Sequence, residues 1–366
     1  MTKDLNRQLV ADPASQPTSY IVRLAAVHGS SCAALAVQRD FIRASDTVDP
    51  PSTYLRPIAG RHRLALRLAP LLACAALQVS PASALAKTSN CPPADWDRPR
   101  LQALVRTGFT FDSTTERDRF VLDILPCLSA ADPWLRDSLA YEAMGTLLRS
   151  GRLPPKLIQT LAQALVSTLD RPDPDGFGPP FAALVLSELV RADAKARALS
   201  PAQLDSIAQR GAAFLAGVRD YRSFDELEGW RHAVAHGADL LAQLARHPGV
   251  DDPSLLSALR DAVATQVAPA AHAYTHGEPE RLMVPIVLLA RRQLFSAADW
   301  HAWFRQLADP APMAGWGASF GDSASLARRH NLRVFLFALL TEVRMNRSTD
   351  DDVLLPAAES ALRSMQ

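Results

Sequence analysis

The chain has 366 residues, 48% of them hydrophobic, which is enough to bury one large core or two ordinary ones. Lys and Arg number 39 against 38 Asp and Glu, so the net charge is +1. A balance this even argues against phosphate-backbone binding, and hence against nucleic acid as a partner.

Residues 1–60 show no clear periodicity and are rich in Ser, Thr, Pro and Ala. They read as an extension that is disordered or never translated. The next methionine after Met1 is Met144, so a true start near residues 55–65 would use a non-Met codon. Residues 61–86 read as a signal peptide. Arg61, Arg63 and Arg67 form a basic region, Leu68–Val79 a short apolar run, and Ala82-Ser83-Ala84-Leu85-Ala86 a cleavage pattern of small residues. Cleavage after Ala86 gives a mature chain starting at Lys87, in the periplasm or secreted. The run is too short to cross a bilayer. The same stretch also reads as a lipoprotein signal, Leu71-Leu72-Ala73-Cys74, with lipid attached at Cys74, or as an apolar helix of a soluble domain. The leader carries nine Lys and Arg against five Asp and Glu, and is basic relative to the rest. Of the four cysteines, Cys91 and Cys127 remain after cleavage, as one disulfide in an oxidising compartment or as two thiols.

From residue 97 onward the pattern is helix after helix, with no convincing strand. Apolar residues recur with helical period over 98–107, 115–128, 133–150, 155–169, 179–193, 201–218, 229–246, 254–268, 280–293, 297–307, 323–344 and 353–364. Ser113 with Glu116 reads as a capping box. Asp132-Pro133, Ser200-Pro201 and Asp252-Pro253 each put a cap before a proline at the first helical position. Residues 170–180 form the longest breaker, a candidate bend within a single domain spanning 87–366. Helices of this length on short loops, at a loose period near 40, predict an all-α fold. The expected form is an irregular HEAT-like helical repeat array, an α-solenoid. One echo supports the period: His232-Ala233-Val234-Ala235-His236-Gly237 recurs as His272-Ala273-Tyr274-Thr275-His276-Gly277.

The 229–246 segment is where the chain points to chemistry. At about 100° per residue, His232, His236 and Asp239 fall within about 60° of one another on a helix. Trp230, Ala233, Val234, Gly237, Leu240, Leu241 and Leu244 take another side, so the polar trio is expected to look outward or into a groove. Three readings stay open. In the first, the trio binds a divalent metal and activates water for hydrolysis, with His272, His276 or Glu278 as a further ligand and Glu226 or Glu228 as base. Ala233 stands where the zinc-protease motif has its glutamate. In the second, the histidines bridge neighbouring helices through Asp137, Asp220 or Asp225, while Asp239 pairs with an arginine. In the third, Tyr141, Glu142, Arg222, His232, His236 and Asp239 line a groove for a protein or small polar ligand. Trp300, Trp303 and Phe304 read as core, and Asp350-Asp351-Asp352 as a cap on the last helix. No phosphate loop, dinucleotide fingerprint or nucleophile elbow is present.

The run Gly229-Trp230-x-His232-x-x-x-His236-x-Ala238-Asp239-Leu240-Leu241 resembles the signature of a bacterial group of helical proteins catalogued as a domain of unknown function. Leu135-Arg136-Asp137-x-x-Ala140-Tyr141-Glu142, Asp220-Tyr221-Arg222, Glu280-Arg281-Leu282 and Asn331-Leu332-x-x-Phe335-Leu336 match it in order. The resemblance spans roughly residues 100–345 and departs at Phe177–Phe181, where relatives carry an Arg-Ser pair. It implies an all-helical repeat fold and no established activity. The chain is therefore expected to be an exported ligand- or protein-binding module, with the metal-dependent hydrolase as the alternative.

Overall fold

The structure, a computed structural model, describes residues 91–366 except 271 and 347. The extension, the signal peptide and the Cys74 lipid site lie outside the described residues. All described residues belong to one unit, Lys87–Gln366.

The helical spacing is realised almost segment by segment. The first helices are α1 (Arg98–Arg106), α2 (Thr114–Asp123) and a 3₁₀ turn, Leu125–Ser129. The predicted 133–150 helix is two pieces, a π-helix (Trp134–Tyr141) continuing into α3 (Glu142–Arg149). Then come α4 (Pro155–Leu169), α5 (Gly178–Ala196) and α6 (Pro201–Gly217). They are followed by α7 (Ala233–Arg246), α8 (Pro253–Val267), α9 (Glu278–Arg291) and α10 (Ala297–Leu307). The chain closes with α11 (Ser323–Met345) and α12 (Leu355–Ser364). Ser113 caps α2 by accepting from the Glu116 N–H, and Ser200 and Gln203 form a reciprocal capping box on α6. Among the described residues no helix is long and apolar enough to cross a membrane.

The helices pack by alternation. The two broadest contacts join α5 to α7 and α7 to α9, and the row goes on from α9 to α11, with α3 against α5 at its start. A second row runs α4, α6, α8, and each of its members also packs on the first row. Helix α7 lies in the middle and is buried along nearly its whole length, from Ala233 to Ala245. A helix apolar all round is one enclosed by neighbours.

This alternation sorts the connections into two ends. The short ones, 197–200, 247–252 and 292–296, leave the first-row helices. The long ones, 170–177, 218–232 and 268–277, enter them. The long ones touch one another. Arg231 donates from Nε to the Asp175 carbonyl at 2.7 Å, and the Tyr221 ring stacks on His272 at 5.0 Å. The short ones touch one another as well, since Arg292 donates to the carbonyls of His247 and Val250. The unit thus has a long-loop end and a short-loop end.

Three expectations need correction. A two-stranded antiparallel hairpin, β1 (Phe224–Asp225) and β2 (Gly229–Trp230), occupies the long loop before α7, with Phe224 opposite Trp230. Two-residue strands are too short to print a period in the sequence. Helix α7 therefore starts at Ala233 rather than 229. The 40-residue echo is not a structural repeat: His236 lies in the first turn of α7, whereas His276 precedes α9. What recurs is a left-handed N-cap, His232 on α7 and Gly277 on α9. Third, Asp351 does not cap the last helix. It is fully buried and accepts from Arg291 Nε at 2.7 Å, because an interior carboxylate requires a cation. Trp300, Trp303 and Phe304 are core, as their spacing predicts.

Candidate functional site

The long-loop end is organised by its hairpin. Asp225 Oδ1 accepts from the N–H groups of Leu227 and Glu228 at 2.8 and 3.0 Å, the turn an aspartate makes with its own backbone. Gly229 closes it with φ +73°, and a Cβ there would meet Arg136 Nη2 at 3.0 Å, so both the conformation and the space call for glycine. The ladder continues past the strands: the Arg231 N–H donates to the Ser223 carbonyl at 2.8 Å and the His232 N–H to that of Arg222 at 3.2 Å.

Two arginines clamp the hairpin. Arg136, on the π-helix and fully buried, donates from Nη2 to the Glu228 carbonyl at 2.7 Å, from Nη1 to the Ala130 carbonyl at 2.9 Å, and from Nε to Asp137 at 2.9 Å. Arg231 donates to the Asp175 carbonyl and to the Glu228 carboxylate. Both guanidinium groups lie on the Phe177 ring, 4.1 and 4.2 Å from its centroid. Burial raises the Asp137 carboxyl to about 6 against the opposing pull of Arg136.

Behind the hairpin sits Glu278, buried at the start of α9. It accepts from the Ser223 hydroxyl and from the His276 N–H, and faces His232 Nε2 at 3.5 Å. Burial alone would raise this carboxyl. Hydrogen bonding from His232 and Ser223 outweighs it and holds the group at about 2. Glu278 thereby ties hairpin, α7 and α9 together.

The predicted site residues divide accordingly. His232 is not on a helical face. It is the left-handed N-cap of α7, buried, with its ring stacked on Trp230 at 4.7 Å. His236 is buried against His232, 5.7 Å between centroids, and against Phe181 at 5.2 Å. Tyr141 reaches the same group through Phe181, 6.5 Å away, and burial pushes its phenol well above the ordinary range. The two histidines are thus brought together but face inward, not into a groove. A helix enclosed on every side leaves no outward face.

Asp239 turns to Arg281, which donates from Nε at 2.6 Å and also from Nη2. Attraction to Asp239 raises the Arg281 guanidinium against the lowering effect of burial. Glu142 is exposed and accepts from Thr146 and Arg149. Arg222 is exposed and held by Asp220, its Nε donating at 2.9 Å. These two join neither the histidines nor each other. Glu226 and Glu228 are exposed on the hairpin, and the Glu228 carboxylate accepts from Arg231. Among the described residues no three His, Cys, Asp or Glu side chains are arranged to hold a metal ion. Two buried histidines lie against carboxylates, His232 against Glu278 and His247 against Asp193. Cys91 and Cys127 are joined in a disulfide with Cα atoms 5.1 Å apart.

Sequence reasoning missed Ser223, Phe177 and the anchoring roles of Arg136 and Arg231. The turn signal Asp225-x-Leu227, ahead of Gly229, was the available clue to the hairpin that gathers them.

Residues 165–341 match the family model described as a protein of unknown function (DUF2785). No curated protein and no solved structure matches the chain. The matched span holds α5 to α10 and the hairpin, while Tyr141, Glu142 and Arg136 lie outside it.

Proposed function

Starting from a chain whose residues 165–341 match the family of unknown function DUF2785, we propose that it is an exported HEAT-like helical module that docks a protein partner at its long-loop end. One observation carries this reading. The hairpin is clamped from below by Arg136, Arg231 and Ser223, yet its tip holds Leu227 87% exposed, and Phe224 on β1 is 48% exposed. Exposed apolar side chains on a rigid mount are what a partner surface requires. Burying Leu227 in a complementary pocket would contribute roughly 1.5–3 kcal/mol, and little ordering of the hairpin would offset it.

Several observations support the remaining parts. The alternating two-row packing is the kind expected of helix-pair repeats. Export rests on the residues 61–86 pattern and is supported by the Cys91–Cys127 disulfide, a bond that persists in oxidising compartments. A small polar ligand has less to hold it, since Asp239 is taken by Arg281 and Glu278 by Ser223. The hydrolase alternative draws no support from the geometry, because His232 and Asp239 address different partners.

A photo-crosslinking residue at position 227 tests the docking in cells producing the full chain. The expected result is one defined crosslinked partner, absent when the same residue stands at exposed position 251 on the short-loop end. No adduct at 227, or the same set of adducts at both positions, sinks the proposal. N-terminal sequencing of the native protein tests export; a retained residue 61–86 segment contradicts it.

A further inference from the structure

The short-loop half of the first row carries a charge arrangement with no part in the partner reading. Arg191 on α5, Arg246 at the end of α7 and Arg291 at the end of α9 stand on three successive, mutually packed helices. Two of them are oriented by interior carboxylates. Glu188 holds Arg191 and also accepts from Arg149 at 3.1 Å, and the fully buried Asp351 accepts from Arg291 at 2.7 Å. Both oriented guanidinium groups stay partly open to solvent, at 28% and 33% side-chain exposure. Each guanidinium has five N–H donors, so single carboxylate partners leave donors to spare.

Arg246, between them, is exposed and has no such carboxylate. Partial burial lowers its guanidinium, and the charges of Arg291 and Arg191 lower it further, with no carboxylate opposing them. Arg292, beside Arg291, donates to the Ala245 carbonyl at 3.2 Å, and His247, beside Arg246, lies 3.3 Å from Asp193 on α5, so the helix ends that carry the three arginines lie side by side, and the fold supplies carboxylates to two of them. Such an arrangement costs free energy that a bound anion returns. Planar guanidinium groups matched to tetrahedral oxygens favour phosphate over a point-charge ligand.

We propose that Arg191, Arg246 and Arg291 form a binding site for a phosphate group, free or carried as a monoester on a larger molecule.

Calorimetric titration of the full chain at low ionic strength, with inorganic phosphate and separately with glycerol 3-phosphate, tests this. Saturable binding of at least one is expected. Free phosphate binding more tightly identifies the inorganic ion as the source, and tighter binding of the ester identifies a phosphorylated molecule. Arg246→Ala and Arg246→Gln should each weaken binding about tenfold or more, the worth of one or two charge-assisted hydrogen bonds. Arg210→Ala, a surface arginine paired with Asp170 on another helix, should leave it unchanged. No saturable binding of either probe to the wild-type chain, or equal losses in the Arg246 and Arg210 variants, overturns the site.

Discussion

The two ends of the helical unit each bury a histidine against a carboxylate, and the pairs do different work. At the short-loop end, His247 Nε2 lies 3.3 Å from Asp193, whose other oxygen accepts from the N–H groups of Ala198 and Leu199 at 2.6 and 2.8 Å. The Gly249 N–H donates to His247 Nδ1 at 3.0 Å, which places the ring proton on Nε2, toward Asp193. Burial lowers the His247 imidazolium against the opposing pull of Asp193. That pair closes the ends of α5 and α7 with local backbone. At the long-loop end, Glu278 reaches across 55 residues to Ser223 and 46 to His232. It ties a projecting hairpin to the core. The lesson is that the same chemistry seals one end and mounts a surface at the other, according to the length of loop it has to hold.

The largest effect should come from the seal. Asp193→Ala strands two buried N–H groups and His247 at once, and should cost roughly 2–5 kcal/mol in urea unfolding. It should not touch crosslinking at position 227 in the chain that remains folded. A loss under 1 kcal/mol would show that the short-loop end is not held this way.

Glu278→Gln should cost less, about 1–3 kcal/mol, because its partners keep a neutral acceptor. Its signature is local: amide exchange in residues 223–232 should quicken while the core of α5 does not change. Linkage adds a pH test. The Glu278 carboxyl is held below its unfolded value, so its contribution is present above about 4.3 and is lost as pH falls toward about 2. The Gln variant should flatten that acid limb, and an unchanged limb would count against Glu278 as the tie.

Asp137 has the opposite sign. Its carboxyl is raised to about 6, so the folded state favours the protonated form and loses that stabilisation as pH rises from about 4 through 6. Asp137→Asn should remove this slope, read from unfolding midpoints across that window. The smallest effect on stability should be that of Leu227→Ser, within about 0.5 kcal/mol, because the side chain touches solvent. Its effect should fall on partner capture alone. A large stability loss would mean that the tip packs inward.

How much was legible varies with the range of the interaction. Helix α4 was read from residue 155 to 169 and is found there, because the apolar period and the proline at its first position both lie within the segment. The 229–246 reading was shifted because a hairpin of two-residue strands leaves no alternation to see, and because a non-glycine left-handed residue, His232, begins the helix. That Asp239 pairs with an arginine was among the readings. Which arginine was not legible, since Arg281 stands 42 residues away on another helix. Arg136 has no role of its own in the sequence pattern, where it is one residue of a motif. A π-helix and the returning hairpin carbonyl of Glu228 make it an interior anchor.

By itself, then, the sequence determined the all-helical class, the position of nearly every helix and the caps that start them, since these depend on neighbours three or four residues apart. Only the tertiary structure decided that the histidines face inward, that Glu278 binds the hairpin, and that Leu227 is left in solvent. Those outcomes depend on which loops meet when two rows of helices pack, and a charge or ring buried there takes whatever partner the other loops deliver.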